Sequence, residues 1–263
     1  MLYLFQRVFV VVFMFAAAAY SQVSQTENER QGNILNNEGV AHFQKGEYDE
    51  AIKSLYRSAE LFPTSPVVHR NLGRVFRELK DFVRAEAALR NAIRLGPDHA
   101  FTYNQLGIVL MDSNRHKEAL NMFLKANALK PDHAIILLNA GNAEIYLKNF
   151  RAAATYLERA KSIDPRNTSI RVSLGYTLAM RKKLDLAIAE LKSATQLDPK
   201  DEAAQFFLGA VYAANQNREA ALEQQRTVSA LNPDLALKLF QTINSDKILT
   251  VPPSALGSTS LEP

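Results

Sequence analysis

AFTYNQLGIVLMDSNRHKEALNMFLKANALKP, residues 100–131, has apolar residues at the spacing of two amphipathic helices. Gly107 lies in the middle of the first of these helices. A glycine in a helix interior is less favourable than alanine by about 1 kcal/mol. Its presence there therefore needs a reason from packing or from function.

A step of thirty-four residues in either direction shows that Gly107 belongs to a repeat. Six of the ten glycines recur at this step, at Gly39, Gly73, Gly107, Gly141, Gly175 and Gly209. Six of the ten prolines recur at the same step, at Pro63, Pro97, Pro131, Pro165, Pro199 and Pro233. Small residues recur twelve positions after each glycine, at Ala51, Ala85, Ala119, Ala153, Ala187 and Ala221. Large apolar residues recur sixteen positions after it, at Leu55, Leu89, Phe123, Leu157 and Leu191. This pattern predicts pairs of closely crossing helices, in which the glycine lets the second helix approach the first.

The pattern resembles the tetratricopeptide repeat, a 34-residue helix-turn-helix unit. The resemblance implies an all-α fold, a right-handed superhelical solenoid of six tetratricopeptide repeats followed by a C-terminal capping helix. The six repeats are expected at residues 32–65, 66–99, 100–133, 134–167, 168–201 and 202–235. Residues 236–244, starting near 234, are expected to form the capping helix, since a solenoid must cover its last apolar face. Helix N-caps are expected at Ser65, Asp98, Asp132, Asp201 and Asp234.

The two ends of the chain differ from the repeats. Arg7 is followed by an uncharged apolar run over residues 8–20 and then by small and polar residues, which predicts a signal peptide over residues 1–21. The alternative is an uncleaved membrane anchor through residues 1–20; after cleavage we expect no stable membrane insertion. A polar linker is predicted over residues 22–31, and the proline- and serine-containing residues 245–263 are predicted to be a disordered tail. The protein is accordingly expected in the periplasm or outside the cell.

Composition and motifs exclude several classes of function. A net charge of +4 is too small to indicate nucleic-acid binding, and the absence of cysteine excludes both a thiol nucleophile and a disulfide framework. The five histidines form no metal-binding motif, and the glycines form no phosphate-binding loop. We therefore predict a protein that is not an enzyme, with no metal, no cofactor and no small-molecule substrate.

The resemblance also implies that the first helices of successive repeats line a concave groove, which would bind a protein or peptide. Four amides share one column of the repeat and are here called the amide column: Asn37, Asn71, Gln105 and Asn139. Amide side chains can both donate to and accept from the backbone of an extended peptide. Arg70 and Arg74 could meet a carboxylate.

The C-terminal half of the expected groove is more apolar. Its candidate binding residues are Leu138, Asn142, Tyr146, Tyr176, Phe206 and Phe207. An apolar surface of this kind indicates a binding site, but the two phenylalanines could instead pack under the capping helix through Leu239 and Phe240, or under the tail segment 248–251. Binding to an external segment and this internal packing remain equal alternatives for Phe206 and Phe207.

Two functions follow as hypotheses. The first is a non-catalytic, exported scaffold that binds an extended or amphipathic segment of a partner in its groove and is monomeric alone. The second is a substrate-docking accessory subunit of an envelope enzyme or glycosyltransferase complex, in which the partner supplies the chemistry.

Overall fold

The computed structural model describes residue 22 and residues 25–244, and within this part of the chain the secondary structure consists of helices and turns, with no strand. The all-α fold class is confirmed. The chain divides into two compact units, Met1–Asp98 (unit 1) and His99–Pro263 (unit 2). Unit 1 contains α1 (25–44), α2 (Tyr48–Leu61), α3 (Pro66–Glu78) and α4 (Phe82–Leu95). Unit 2 contains α5 (Ala100–Asp112), α6 (His116–Leu129), α7 (Ala134–Tyr146), α8 (Phe150–Ile163), α9 (Thr168–Met180), α10 (Leu184–Leu197), α11 (Glu202–Ala214), α12 (Arg218–Leu231) and α13 (Pro233–Ile243).

The first helix extends beyond the start expected from the repeat. Residues 25–31, which the sequence suggested as linker, are helical and continuous with the first repeat. One reason lies at Gly32, whose carbonyl accepts a hydrogen bond of 2.6 Å from the buried hydroxyl of Ser58 on α2. This bond attaches α1 to α2 at the point where the linker was expected to end.

The periodic glycines lie where paired helices approach most closely. A Cβ atom built on Gly141 would be 2.7 Å from Leu157 Cγ, and one on Gly175 would be 2.6 Å from Leu191 Cγ. Gly107 faces the ring of Phe123 in the same way. The six periodic alanines are fully buried beside these contacts. The interpretation of the glycine as a packing requirement therefore agrees with the geometry.

The turn between the two helices has the same backbone geometry in all six repeats, with one residue in the left-handed region. This residue is Gly46 in the first repeat and then, at steps of thirty-four, Lys80, Asn114, Lys148, Lys182 and Gln216, with φ between 58° and 78°. The backbone N–H groups of this residue and of the next one close the helix end. In repeat four, for example, Lys148 N donates to Ile145 O and Asn149 N donates to Glu144 O. Sequence reasoning missed this feature because glycine occupies the position in only one of the six repeats.

Three of the expected helix N-caps are displaced by one or two residues. His99 and His133 occupy the cap positions of α5 and α7 in place of the preceding aspartates, Asp98 and Asp132. Each aspartate lies in the turn that follows a proline, so the helix begins one residue later. Asn232, not Asp234, caps α13, and Asp201 caps α11 as expected by accepting a hydrogen bond of 2.9 Å from Ala204 N.

The last helix, α13, differs from the first helix of a seventh repeat. It begins at Pro233, with only Asn232 between it and the end of α12, and the side chain of Asn232 accepts a hydrogen bond of 3.1 Å from Leu235 N. α13 packs against both α11 and α12. Leu239 Cδ2 lies 2.7 Å from the position of a Cβ on Gly209, so this side chain fills the site that a leucine sixteen residues after the glycine fills in repeats such as the fifth. The sixth repeat has the polar Gln225 at that sequence position, which is why α13 supplies the apolar group.

Candidate functional site

In unit 1, two members of the amide column form a chain of side-chain hydrogen bonds with Asn36. Asn71 Nδ2 donates to Asn36 Oδ1 at 2.8 Å, and Asn36 Nδ2 donates to Asn37 Oδ1 at 3.4 Å. Asn36 and Asn71 are buried, whereas Asn37 is exposed. The bond from Asn71 to Asn36 crosses the boundary between two repeats, and the bond from Asn36 to Asn37 lies within the first repeat.

The two arginines proposed for the groove of unit 1 are partly buried. The guanidinium carbon of Arg74 lies 5.1 Å from the centroid of the Phe43 ring, which is cation–π geometry. The aliphatic part of such a side chain covers apolar surface while its charge stays near water. Arg74 therefore contributes to packing on Phe43 as well as positive charge.

Unit 2 repeats the amide pairing sixty-eight residues later. Asn139 Nδ2 donates to Asn104 Oδ1 at 2.9 Å, and both side chains are buried. Gln105 belongs to the amide column and follows Asn104 in the chain, and its side chain is partly buried. Asn71 and Asn139 each pair with the asparagine thirty-five positions earlier, a cross-repeat contact that a comparison of equivalent positions does not reveal.

Asn142 is the most informative polar side chain of this surface. It lies on α7 four residues after Leu138 and four before Tyr146, so the three share one face of the helix. Asn142 is only 5% exposed, and among the described residues its Oδ1 atom is buried without a hydrogen-bond partner. A buried amide oxygen normally accepts a hydrogen bond, and leaving one unsatisfied costs about 1–3 kcal/mol. Asn142 therefore provides an acceptor that no described residue satisfies.

The apolar candidates are enclosed rather than open. Leu138, Tyr176, Phe206 and Phe207 are all buried and belong to one hydrophobic cluster with Leu239 of α13. The Phe207 ring meets Tyr176 edge-on at a centroid distance of 5.4 Å and Phe206 at 5.5 Å. Phe240 is the other residue of the capping helix against which Phe206 and Phe207 could have packed, but its side chain is 47% exposed. The two phenylalanines thus belong to the same packed core as Leu239 of the last helix. The tail segment 248–251 lies outside the described residues.

Tyr146 differs from the other aromatic candidates because it is only partly buried, at the C-terminal end of α7. Its ring lies 4.5 Å from the imidazole of His116, with 31° between the planes. Burial raises the pKa of the Tyr146 phenol, with smaller contributions from Asp112 and Tyr176, so the hydroxyl is protonated at neutral pH and can donate a hydrogen bond. Burial likewise lowers the pKa of His116. His116 had no role in the sequence analysis, since only the fold brings it to Tyr146.

Neither a metal-binding cluster nor a membrane-spanning helix is present among the described residues. In that part of the chain, no three histidine, aspartate or glutamate side chains come together in a way that could bind a metal ion. No described helix combines the length and the apolar character needed to span a bilayer.

The comparisons with known proteins identify the architecture. PilW, described as a widely conserved type IV pilus biogenesis factor, superposes with a TM-score of 0.73 at 22% identity over 80% of this chain and 98% of that chain. PilF of Pseudomonas aeruginosa gives 0.72 at 20% identity over 82% and 98%. YrrB, described as a TPR protein with an unusual peptide-binding site, gives 0.57 at 27% identity over 71% and 97%.

The sequence comparisons give one match. No curated protein matches this chain. The family model described as the cilia and flagella-associated protein 70 C-terminal domain matches residues 15–208, nearly three quarters of the sequence. Together with the 34-residue period and the paired helices, this match shows that the chain belongs to the tetratricopeptide repeat family, in the group that this C-terminal domain model represents.

Proposed function

We propose that this protein is a non-catalytic interaction scaffold that binds an extended or amphipathic segment of a partner protein on the α7 face of unit 2. The tetratricopeptide repeat architecture supports a role in protein–protein interaction, and YrrB, at 27% identity, is described as having a peptide-binding site. The observation that carries the proposal is the buried Asn142 oxygen, which has no hydrogen-bond partner among the described residues. The oxygen is buried in the unbound protein, so a backbone N–H group of a bound segment would satisfy it once the amide turns toward that segment.

Tyr146 supplies the accessible contact of this surface. Aromatic side chains that are partly exposed beside a packed apolar cluster are effective anchors in protein interfaces, because they bury a large area on binding. Leu138 and Asn142 lie on the same face of α7 as Tyr146 and are buried. We therefore place the first contact of the partner at Tyr146 and its main-chain hydrogen bond at Asn142.

Photo-crosslinking tests this placement. With a benzoylphenylalanine in place of Tyr146, we expect covalent capture of a partner from the native source, identified by mass spectrometry. The control carries the same group in place of Leu186, which is 55% exposed on the second helix of repeat five. Equal capture at both positions, or none at position 146, would contradict the proposed surface.

Substitution of Asn142 then tests the hydrogen bond. Once the captured segment is known, Asn142→Ala is expected to weaken its binding about tenfold, because a donor of the segment would be left unsatisfied. Asn127→Ala is a matched control: Asn127 Oδ1 is also buried without a partner in the described part of the chain, but it lies on α6, a second helix. If both variants bind as well as the parent, Asn142 does not hold the segment.

An accessory role in an envelope enzyme or glycosyltransferase complex is the alternative outcome of the same experiment. Capture of an enzyme at position 146, together with stable co-purification of that enzyme from the native source, would favour the accessory subunit over an independent scaffold.

We further infer that the protein is exported and that its mature N-terminus lies near Gln22. The support is the arginine, the apolar run and the small residues over 1–21, which lie outside the described residues. N-terminal sequencing of protein from the cell envelope or the medium should begin within a few residues of Gln22. Recovery of protein that retains Met1 would instead favour the membrane-anchor alternative.

A further inference from the structure

A second surface of unit 2 has a different chemistry from the α7 face. An open depression of about 900 Å³ lies at the turns within repeats four and five. It is lined by two lysines and two arginines together with four uncharged residues: Lys148, Arg151, Arg181, Lys183, Asn149, Phe150, Ala152 and Thr155. We call the four cations of this depression the basic turn patch.

The charge of the basic turn patch is not neutralised locally. Within the described residues, none of its four cations forms an ion pair, and no acidic side chain lines the depression. Two acids lie next to the lining residues. Glu144 is buried and accepts a hydrogen bond of 2.8 Å from Asn149 Nδ2, and Asp185, two residues after Lys183, accepts one of 3.5 Å from Asn215 Nδ2. Four cations around one concave surface repel one another, so an anionic ligand there would relieve that repulsion.

The positive charge at these turns is not explained by a high positive net charge of the whole protein. The net charge of the whole sequence is only +4. The connections between repeats in unit 2 carry both signs of charge, with Lys130 and Asp132, then Asp164 and Arg166, then Asp198 and Lys200. The charged residues that line the depression inside repeats four and five are instead all cations, which gives a local field despite the modest net charge.

The basic turn patch adjoins the proposed peptide-binding face. α7 ends at Tyr146, two residues before Lys148, and α9 ends at Met180, one residue before Arg181. A segment that contacts Tyr146 therefore needs only a few further residues to reach the depression, because an extended chain advances about 3.3 Å per residue.

We propose that the basic turn patch binds an acidic stretch of the partner segment, a run of aspartate or glutamate residues next to the part held at Tyr146 and Asn142. This inference rests on the proposed function and adds the chemistry of the partner. Guanidinium groups pair with carboxylates in a bidentate geometry, and lysines add point charges that tolerate variation in position. The basic turn patch adjoins the face proposed to hold a peptide at Tyr146, which favours an acidic stretch of that peptide over an anionic membrane.

The test uses the purified protein and a fluorescein-labelled peptide of ten glutamates, followed by fluorescence anisotropy at about 150 mM salt, where charges beyond about 8 Å are screened. The patch variant combines Lys148→Gln, Arg151→Gln, Arg181→Gln and Lys183→Gln. The control variant combines Arg166→Gln, Lys200→Gln, Arg226→Gln and Lys238→Gln, which removes the same charge and the same residue types from exposed positions elsewhere in unit 2. Circular dichroism confirms that both variants keep the helicity of the parent.

We expect the peptide to bind the parent and the control variant within about twofold of each other, and the patch variant at least tenfold more weakly, with binding that weakens as salt rises. Equal losses in both variants would reduce the effect to net charge and overturn the proposal, as would the absence of binding to the parent. Vesicles of phosphatidylglycerol and phosphatidylcholine are tested in parallel. Patch-dependent binding of the vesicles without binding of the peptide would assign the patch to a membrane and overturn the peptide assignment. Because the readout needs no native partner, its failure is distinct from failure of the crosslinking at Tyr146.

Discussion

Replacement of Gly141 by leucine is expected to destabilise unit 2 by about 3 kcal/mol, at the upper end of the cost of overpacking a core. The reason is the distance of 2.7 Å from a Cβ at this position to Leu157 Cγ, with Leu157 Cδ2 at 2.9 Å. Leu157 is fully buried, so it cannot move into solvent to make room. Leucine favours helix over glycine by about 1 kcal/mol, which offsets only part of this cost. Urea denaturation followed by circular dichroism measures the difference.

A double-mutant cycle separates overpacking from other effects of the substitution. Leu157→Ala alone should also destabilise the unit, by about 2–5 kcal/mol, because it leaves a cavity. In the combined variant the new leucine can occupy the space that Leu157 left, so the two losses should sum to more than the measured effect. If the two losses are additive, contact between positions 141 and 157 is not the reason for the glycine.

The fold was largely accessible from the sequence because its main contact is periodic. The first five periodic glycines each contact the residue sixteen positions later, and a contact repeated at a fixed spacing leaves a visible pattern. The left-handed turn residue also recurs at thirty-four residues, yet Lys148 and Lys182 carry no sequence signal for a positive φ. Backbone geometry of that kind becomes apparent only when the helices on both sides are in place.

The candidate site was less accessible for two physical reasons. The amide column was identified as equivalent positions, but Asn139 pairs with Asn104, a contact between non-equivalent positions of adjacent repeats. The apolar residues were expected to form a surface, whereas the burial of Tyr176 and Phe207 depends on what packs against them. A hydrophobic side chain is equally suited to a core and to an interface, so sequence alone could not separate the two roles.

Substitutions in α13 test how the last repeat of this protein is capped. Leu239→Ala is expected to destabilise the C-terminal end of unit 2 by about 2–5 kcal/mol, the cost of a large-to-small substitution in a core. Leu239 is fully buried, and its Cδ2 atom lies over Gly209 in place of a leucine from the second helix of the sixth repeat. No other side chain of α13 approaches a Cβ position on Gly209 as closely, since the remaining near atoms belong to Gln224.

Leu237 on the same helix provides the matched control, because it is 58% exposed and has the same side chain. Leu237→Ala should change the free energy of unfolding by no more than about 0.5 kcal/mol. Native-state hydrogen exchange adds the location of the effect: Leu239→Ala should lower amide protection first in α11 and α12, the two helices against which α13 packs. If both variants lose a similar free energy of unfolding, α13 stabilises the array by covering its apolar end as a whole and not through Leu239 in particular. A loss confined to Leu239→Ala would instead show that the glycine-to-leucine contact, formed within the pair in repeats such as the fifth, is completed in the sixth repeat by the helix that follows it.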